Sequence, residues 1–475
     1  MKKSLHCSVK ILLLIIAIGF PDLVLSQWSL PINLSPDAVS AILNESMGSC
    51  LGVSGDTVHV VWADRLSTNR GAIYYTQSAD TGLTWSAPVA LTNTNGNAWN
   101  PAIAVNGSNI HVVWREIDTT NQHRSSHYKH SLDGGNTWGT SVVLDTVIAN
   151  WPAIAVSGNE VYVANDIVTS ASPYNTEIFF LKSSDNGVTW SAHQQLTFSA
   201  GRSEDEAIIA QGTDVFMSWN DNRNGTMQIF YKHSDDEGST WDPDVLVNSE
   251  PSYGTMVCVD GADINIPSAG APSGHYQIHL NHSGDSGTTW DSDIDLTNDP
   301  ANTYYYPYMV RDSADLHLTY LKSGVGGQYL HSGDGGTTWD TPYNMGFSNI
   351  TPFIAYTGCV LHVIIPDSGH INYIRNPTGN AGPHCVVATG ISPLPPKEEV
   401  VILYPNPAKD EIIIEQGKSQ DQVTITIYTV NGQELLKKTT DGGKVRIDIT
   451  NLPGGVYIVK ACCKDDLSVN KFVKQ

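Results

Sequence analysis

The chain has 475 residues, 26 of them basic and 48 acidic, for a formal net charge of −22. That balance excludes nucleic acid and anionic membrane surfaces as partners. Only 16% of residues are charged, and no long amphipathic helical stretch appears, so the composition predicts an all-β, turn-rich protein of two or three domains.

Lys2, Lys3 and Lys10 form a positive n-region ahead of the apolar stretch Ile11 to Phe20. That stretch is roughly ten residues long, too short to span a bilayer. Val24-Leu25-Ser26 offers a small-residue cleavage site, so residues 1–26 read as a removable signal peptide. No later segment is apolar enough to cross a membrane, and none is expected in the mature chain. Cys7 leaves with the signal. Cys50, Cys258, Cys359, Cys385, Cys462 and Cys463 remain, with no zinc-type spacing. Cys50, Cys258 and Cys359 sit in apolar runs and are expected as buried free thiols. Adjacent Cys462 and Cys463 would point to opposite faces of a strand. No metal and no cofactor is expected.

Six copies of Ser-x-Asp-x-Gly-x-Thr-Trp follow: SADTGLTW from Ser78, SLDGGNTW from Ser131, SSDNGVTW from Ser183, SDDEGSTW from Ser234, SGDSGTTW from Ser283 and SGDGGTTW from Ser332. Their starts are 53, 52, 51, 49 and 49 residues apart. A period near 50 means one supersecondary unit per repeat, as in a propeller or solenoid. Ser and Asp side chains bond backbone groups in a tight turn, Gly supplies a positive φ, and Trp supplies an apolar plate. These octapeptides resemble the Asp boxes (BNR repeats) of the sialidase superfamily. The resemblance implies a β-propeller, with each box on the hairpin between the third and fourth strands of a blade, away from any active site. Asp80, Asp133, Asp185, Asp236, Asp285 and Asp334 are therefore expected to be structural.

A second-strand pattern such as Ile110-His-Val-Val-Trp114 precedes each box. Its copies begin near Val58, Ile110, Val161, Val215, Ile264, Leu316 and Leu361, one more than the boxes. The seventh unit lacks a box and a fourth strand. The segment Gln27-Trp-Ser-Leu-Pro-Ile-Asn-Leu34 resembles Thr84-Trp-Ser-Ala-Pro-Val-Ala-Leu91, so the mature N-terminus is predicted to supply that strand and close the ring. Seven blades over residues 27–380 are favoured, with six as the alternative.

Residues 381–397 form a Pro-rich linker. Beyond them, 398–475 carry short alternating strands suited to a small Ig-like β-sandwich. Tyr404-Pro-Asn-Pro-Ala408, Val430-Asn-Gly-Gln-Glu-Leu435, Leu452-Pro-Gly-Gly-Val-Tyr-Ile-Val459 and the terminal KFVKQ resemble the type A C-terminal sorting domain of the type IX (Por) secretion system. The resemblance implies that machinery as a partner, passage through the periplasm, and a mature protein that is secreted or attached to the outer cell surface.

Ligands of a propeller gather on the end opposite the boxes. There, second strands end on acidic residues in register at Asp64, Glu116, Asp221 and Asp367, with Asp166 one place off and Lys322 in the sixth unit. Arg65, Arg70, Arg115, Arg124 and Arg223 lie near them. Carboxylates beside arginines suit hydrolysis of an acidic sugar, which makes Asp64, Glu116, Asp221, Arg65, Arg115 and Arg223 candidates for catalysis. Repetition in register points instead to a shared structural task. Trp99, Trp151, Tyr304 and Tyr305 stand before prolines at blade connections and are candidates for ligand stacking or for core. The sialidase resemblance would imply three arginines, the first in a Phe/Tyr-Arg-Ile-Pro motif. No such motif occurs; the first arginine is Arg65, and Arg311 alone lies in a first strand. The expected function is binding of a glycan or glycoprotein, with exo-acting glycoside hydrolysis of sialidase type as the alternative.

Overall fold

The computed structural model describes residues 28–377, save 44–47, 68–69, 94–95, 119, 122, 146–148, 255, 272–273 and 348–351. It also describes 401–474, save 406, 417–422, 430–433, 441–443 and 464–465. The signal peptide and the linker expected at 381–397 lie outside the described residues, as does Cys385 and the side chains of Cys462 and Cys463. The chain divides into two units, 1–387 and 388–475.

The first unit holds seven antiparallel sheets. Blade 2 is typical, with strands Ala98–Asn106, Asn109–Ile117, Arg124–Ser131 and Val142–Val143 in simple meander order. Blades 1 to 7 have as their second strands Thr57–Ser67, Asn109–Ile117, Glu160–Ala171, Asp214–Asp221, Asp263–Gly270, Asp315–Lys322 and Val360–Asp367. Neighbouring blades touch all the way round, and the first strand of blade 7, Phe353–Thr357, contacts both blade 6 and blade 1.

Blade 7 is completed by the strand Ile32–Asn33 from the start of the described chain. Ile32 pairs with Tyr373 and Asn33 with Asn372, flanked by Ser29 N–H to Arg375 C=O at 2.8 Å and Leu34 N–H to Ile371 C=O at 2.8 Å. The ring is thus closed by strands from both ends of the unit, as the orphan strand predicts.

Each box is a locked turn. In the second, Ser131 Oγ donates to Asp133 Oδ1 at 2.8 Å and accepts from Gly135 N–H at 2.9 Å. The Thr137 amide and hydroxyl both donate to Asp133. Those Thr137 bonds, then Ser131, hold the Asp133 carboxyl down at about 2. The same bonds recur at Asp80, Asp185, Asp236, Asp285 and Asp334.

The boxes also join blades. A third-strand aromatic reaches into the box of the next blade: Tyr75 meets Trp138 edge-on at 4.9 Å, Tyr128 meets Trp190 at 4.8 Å, and Tyr373 meets Trp85 at 4.8 Å. Gly135 has φ +86°, and a Cβ there would lie 2.1 Å from the Tyr75 hydroxyl. Glycine is therefore required for backbone shape and for room. Behind the ring, His59 Nδ1 bonds the Tyr75 hydroxyl at 2.7 Å, and burial pushes that imidazole down to about 4. Trp28 takes the box tryptophan's place in blade 7, edge-on to Tyr329 of blade 6 at 5.1 Å.

Cys50 and Cys258 are buried free thiols. Cys359 departs from expectation: it is disulfide-bonded. It sits at φ +67° in the turn between Thr357 and Val360, outside the apolar strands.

The second unit is a pair of antiparallel sheets. One orders Val401–Tyr404, Glu411–Gln416 and Lys444–Asp448; the other orders Glu434–Thr440, Val423–Thr429, Gly455–Cys463 and Asp466–Lys474. Alternating Ile412 and Ile414, Ile425 and Ile427, and Val445 and Ile447 fill the core with Tyr457, Val459 and Phe472.

Candidate functional site

Boxes close the third-to-fourth strand turns, so the opposite end collects the second-to-third loops and the blade connections. The in-register acids there are occupied with their own loops. Asp64 is buried and accepts from the amides of Val39 at 3.2 Å and Ser40 at 2.8 Å. Glu116 accepts from Trp114 Nε1 at 3.1 Å. Asp221 is buried and accepts from Ser203 Oγ at 2.8 Å, the Arg223 amide at 2.8 Å and Arg223 Nη2 at 2.6 Å. Burial would raise Asp221, but the Arg223 bonds outweigh it and hold it low. Asp367 accepts from Ser368 Oγ at 3.3 Å.

The cations are similarly placed. Arg223 also reaches Asp244 at 2.7 Å, which in turn holds Lys232 at 2.8 Å. Arg65 lies over the Trp99 ring at 5.3 Å and Arg115 over Trp151 at 5.7 Å. Arg124 donates to Asn150 Oδ1 at 2.6 Å, and Arg70 opens the third strand of blade 1. Lys322 pairs with Asp299 at 3.5 Å beside the Tyr304 ring. Arg311 lies toward the box end, paired with Asp263 at 3.4 Å.

Two of the aromatic candidates are core. Trp99 is 8% exposed and Tyr304 4%; neither offers a face to a ligand. A register shift between Trp99 and Ala102 turns Trp99 inward, where it packs on Gly71. Trp151 and Tyr305 are half-buried. The exposed aromatics are others. Five aromatic side chains are strongly exposed among the described residues: Tyr174, Phe198, Tyr253, Tyr306 and Tyr343. The first four all lie on the end opposite the boxes: Tyr174, Tyr253 and Tyr306 at or near strand ends there, and Phe198 in a blade connection. Tyr174 borders an open cleft of about 370 Å³ shared with Gly201, Arg202, Asn222 and Arg223.

Glu206 escaped the sequence reading, which named its neighbour Asp166 only as an acid one place out of register. Asp166 and Glu206 are both buried, at the seam between blades 3 and 4. Asp166 accepts from Asn150 Nδ2 at 2.9 Å and the Trp151 amide at 3.0 Å, yet burial pushes it up to about 7. Neither Glu206 oxygen has a hydrogen-bonding partner among the described residues. Burial, then Asp166, raises Glu206 well above the ordinary carboxyl value. Its place in the strand register is that of Pro101, Pro152, Pro307 and Pro352, each of which precedes the matching paired residue of its own blade. Aligning EDEAIIA with NPAIAV would have exposed this carboxyl in a proline's place.

A raised carboxyl stabilises the fold fully below its unfolded value near 4 and loses that contribution as pH rises through the folded value. Wild-type stability is therefore expected to fall as pH rises from about 4 through about 7, the range over which Asp166 gives up its proton. Glu206→Gln should make that fall shallower, measured by denaturant unfolding across the same range. An unchanged slope in the variant would show that the pair does not carry the proton.

Among the described residues no group of three or more His, Cys, Asp or Glu is placed to hold a metal ion, and no helix is long and apolar enough to cross a membrane.

Comparison with known proteins gives two family matches. The BNR repeat-like domain matches residues 15–318, and the secretion system C-terminal sorting domain matches residues 402–475. No curated protein matches the chain. Among solved structures, a polysaccharide lyase described as an ulvan lyase is similar at 11% identity and TM-score 0.51, covering 72% of this chain and 95% of that one. A protein of unknown function from Dyadobacter fermentans has 12% identity and TM-score 0.45, covering 73% and 98%. A Trypanosoma rangeli sialidase mutant has 11% identity and TM-score 0.43, covering 79% and 83%. At 11% identity the likeness to the ulvan lyase is one of fold. The chain belongs to the BNR repeat-like domain family, and its C-terminal sorting domain marks it for export by the type IX secretion system to the cell surface or beyond.

Proposed function

We propose that the exported propeller binds glycan on the end opposite the Asp boxes. The observation that supports this is the gathering of Tyr174, Phe198, Tyr253 and Tyr306 on that one end, exposed by 43–78%. Aromatic faces stack on the apolar faces of sugar rings, and large exposed rings are otherwise removed from water. The arginine-bordered cleft beside Tyr174 adds donors for sugar oxygens.

Glycoside hydrolysis is the second reading. It draws on Asp166 and Glu206, whose raised carboxyls suit general acid chemistry. Their burial, and the commitment of Asp64, Glu116 and Asp221 to their own loops, favour binding.

The test is a glycan array and a fluorogenic sialoside assay on the full mature chain. Binding without turnover is expected. Tyr174→Ala and Phe198→Ala should each weaken a bound glycan roughly two- to tenfold in Kd. Turnover that vanishes in Glu206→Gln would replace binding by hydrolysis.

A further inference from the structure

On the rim of blades 5 and 6, four tyrosines from three separate segments meet. Tyr253 lies on the approach to blade 5, Tyr276 just before that blade's third strand, and Tyr305 and Tyr306 at the start of blade 6. Their ring centroids follow one another at 5.8, 5.5 and 5.8 Å. Successive rings are inclined at 75°, 44° and 35°, so the surface is a faceted trough. Tyr253 is 43% and Tyr306 48% exposed.

Tyr306 is held there against a backbone preference. Its φ is +51°, at a register shift between Tyr305 and Tyr308. The corresponding residues of blades 2 and 4 are Asn100 at +53° and Asp205 at +58°. Asn and Asp enter the left-handed region with little strain, whereas a bulky aromatic does not. A strained, exposed ring among three others is a functional signal.

The charges beside the trough define what it can take. Lys322 is engaged by Asp299, which also accepts from the Tyr304 hydroxyl at 2.8 Å and Asn302 at 2.7 Å. Glu250 stands three residues before Tyr253 in the same connection. Arg65, Arg70, Arg115, Arg124, Arg202 and Arg223 all belong to blades 1, 2 and 4 or their connections. Arg311, on the strand that carries Tyr305 and Tyr306, lies toward the box end with Asp263, so among the described residues an acidic sugar would meet carboxylates here and no guanidinium. An uncharged sugar incurs no such repulsion. Inclined plates spaced about one sugar ring apart follow a chain that twists from residue to residue.

We infer that Tyr253, Tyr276, Tyr305 and Tyr306 form a subsite for a run of uncharged sugar residues in a polysaccharide chain. The inference rests on the glycan-binding reading above. The rings supply stacking, while the tyrosine hydroxyls and His275, which bonds Thr303 Oγ1 at 3.1 Å, supply polar contacts at the edges.

The test uses the full mature chain with cello-, xylo-, manno- and N-acetylchitohexaose, against oligogalacturonate of the same length, by calorimetry. Tyr306→Asn is the informative variant, because asparagine suits the left-handed φ. It should melt at or above the wild-type temperature yet bind the uncharged oligosaccharide at least tenfold more weakly. Tyr306→Phe should stay within about threefold of wild type. Unchanged uncharged-sugar affinity in Tyr306→Asn overturns the inference, as does preference for oligogalacturonate. If oligogalacturonate binds and only Tyr174→Ala and Phe198→Ala weaken it, the glycan-binding reading stands and this subsite falls. If neither class of sugar binds, both fall. Self-association broken by Tyr306→Asn in sedimentation would assign the trough to a second copy and overturn the inference too.

Discussion

A mature chain lacking residues 28–34 is expected to lose cooperative folding. Deletion removes the fourth strand of blade 7 and strips its third strand, His370–Asn376, of one neighbour. The carbonyls of Arg375 and Ile371 lose the amides of Ser29 and Leu34, and Tyr329 loses the Trp28 ring. Leu34 itself is only 4% exposed. Losing a tryptophan and a buried leucine costs about 3–5 and 2–5 kcal/mol respectively. Together these approach the whole stability of an ordinary domain. The bared edge would also invite strand pairing between molecules. Thermal unfolding and light scattering on the truncated chain measure both effects. Adding a peptide of residues 28–34 should restore the sharp transition. A truncated protein with wild-type melting would mean that the ring does not depend on its N-terminal strand.

Removing residues 398–475 is expected to abolish delivery outside the cell while leaving a folded propeller in the periplasm. The sorting domain has its own core, with Ile412, Ile414, Ile425, Ile427 and Phe472 buried together. The first unit shares none of these residues. Cell fractionation with a surface-protease challenge distinguishes the outcomes. Truncated protein at the surface in normal amount would show that another part of the chain carries the export signal.

Much of the fold was legible because it is written repeatedly. Six boxes at a near-constant period announce blades, and Trp28-Ser29 before Pro31 reads as a box ending without its beginning. The closing strand is a local motif out of place, and such a motif survives in sequence. The functional end is legible only in part. The acids at Asp64, Glu116 and Asp221 recur in register because each serves its own loop, and recurrence is what drew attention to them. Trp99 and Tyr304 were visible beside prolines, but a shift of register decides whether such a ring points in or out, and the sequence does not display that shift. Tyr174, Phe198, Tyr253 and Tyr276 were missed for the opposite reason. Each lies in a loop or at the end of a strand beside one, and the trough forms only when blades 5 and 6 stand side by side. Glu206 was legible in principle, as a carboxyl where four other blades place proline.

The closure has a mechanical consequence. Blade 7 joins the first strand of the propeller, Ile32–Asn33, to its last, His370–Asn376, in antiparallel register, with Ser29 bonded to Arg375. The free start of one strand and the exit of the other therefore share a corner. Tension between the N-terminus and the chain leaving after Asn376 would peel this seam one hydrogen bond at a time, instead of loading all its bonds at once in shear. A pull on the departing chain alone bears on a strand bracketed by partners on both sides. The propeller should therefore resist a pull on the departing chain better than a pull applied between its two ends.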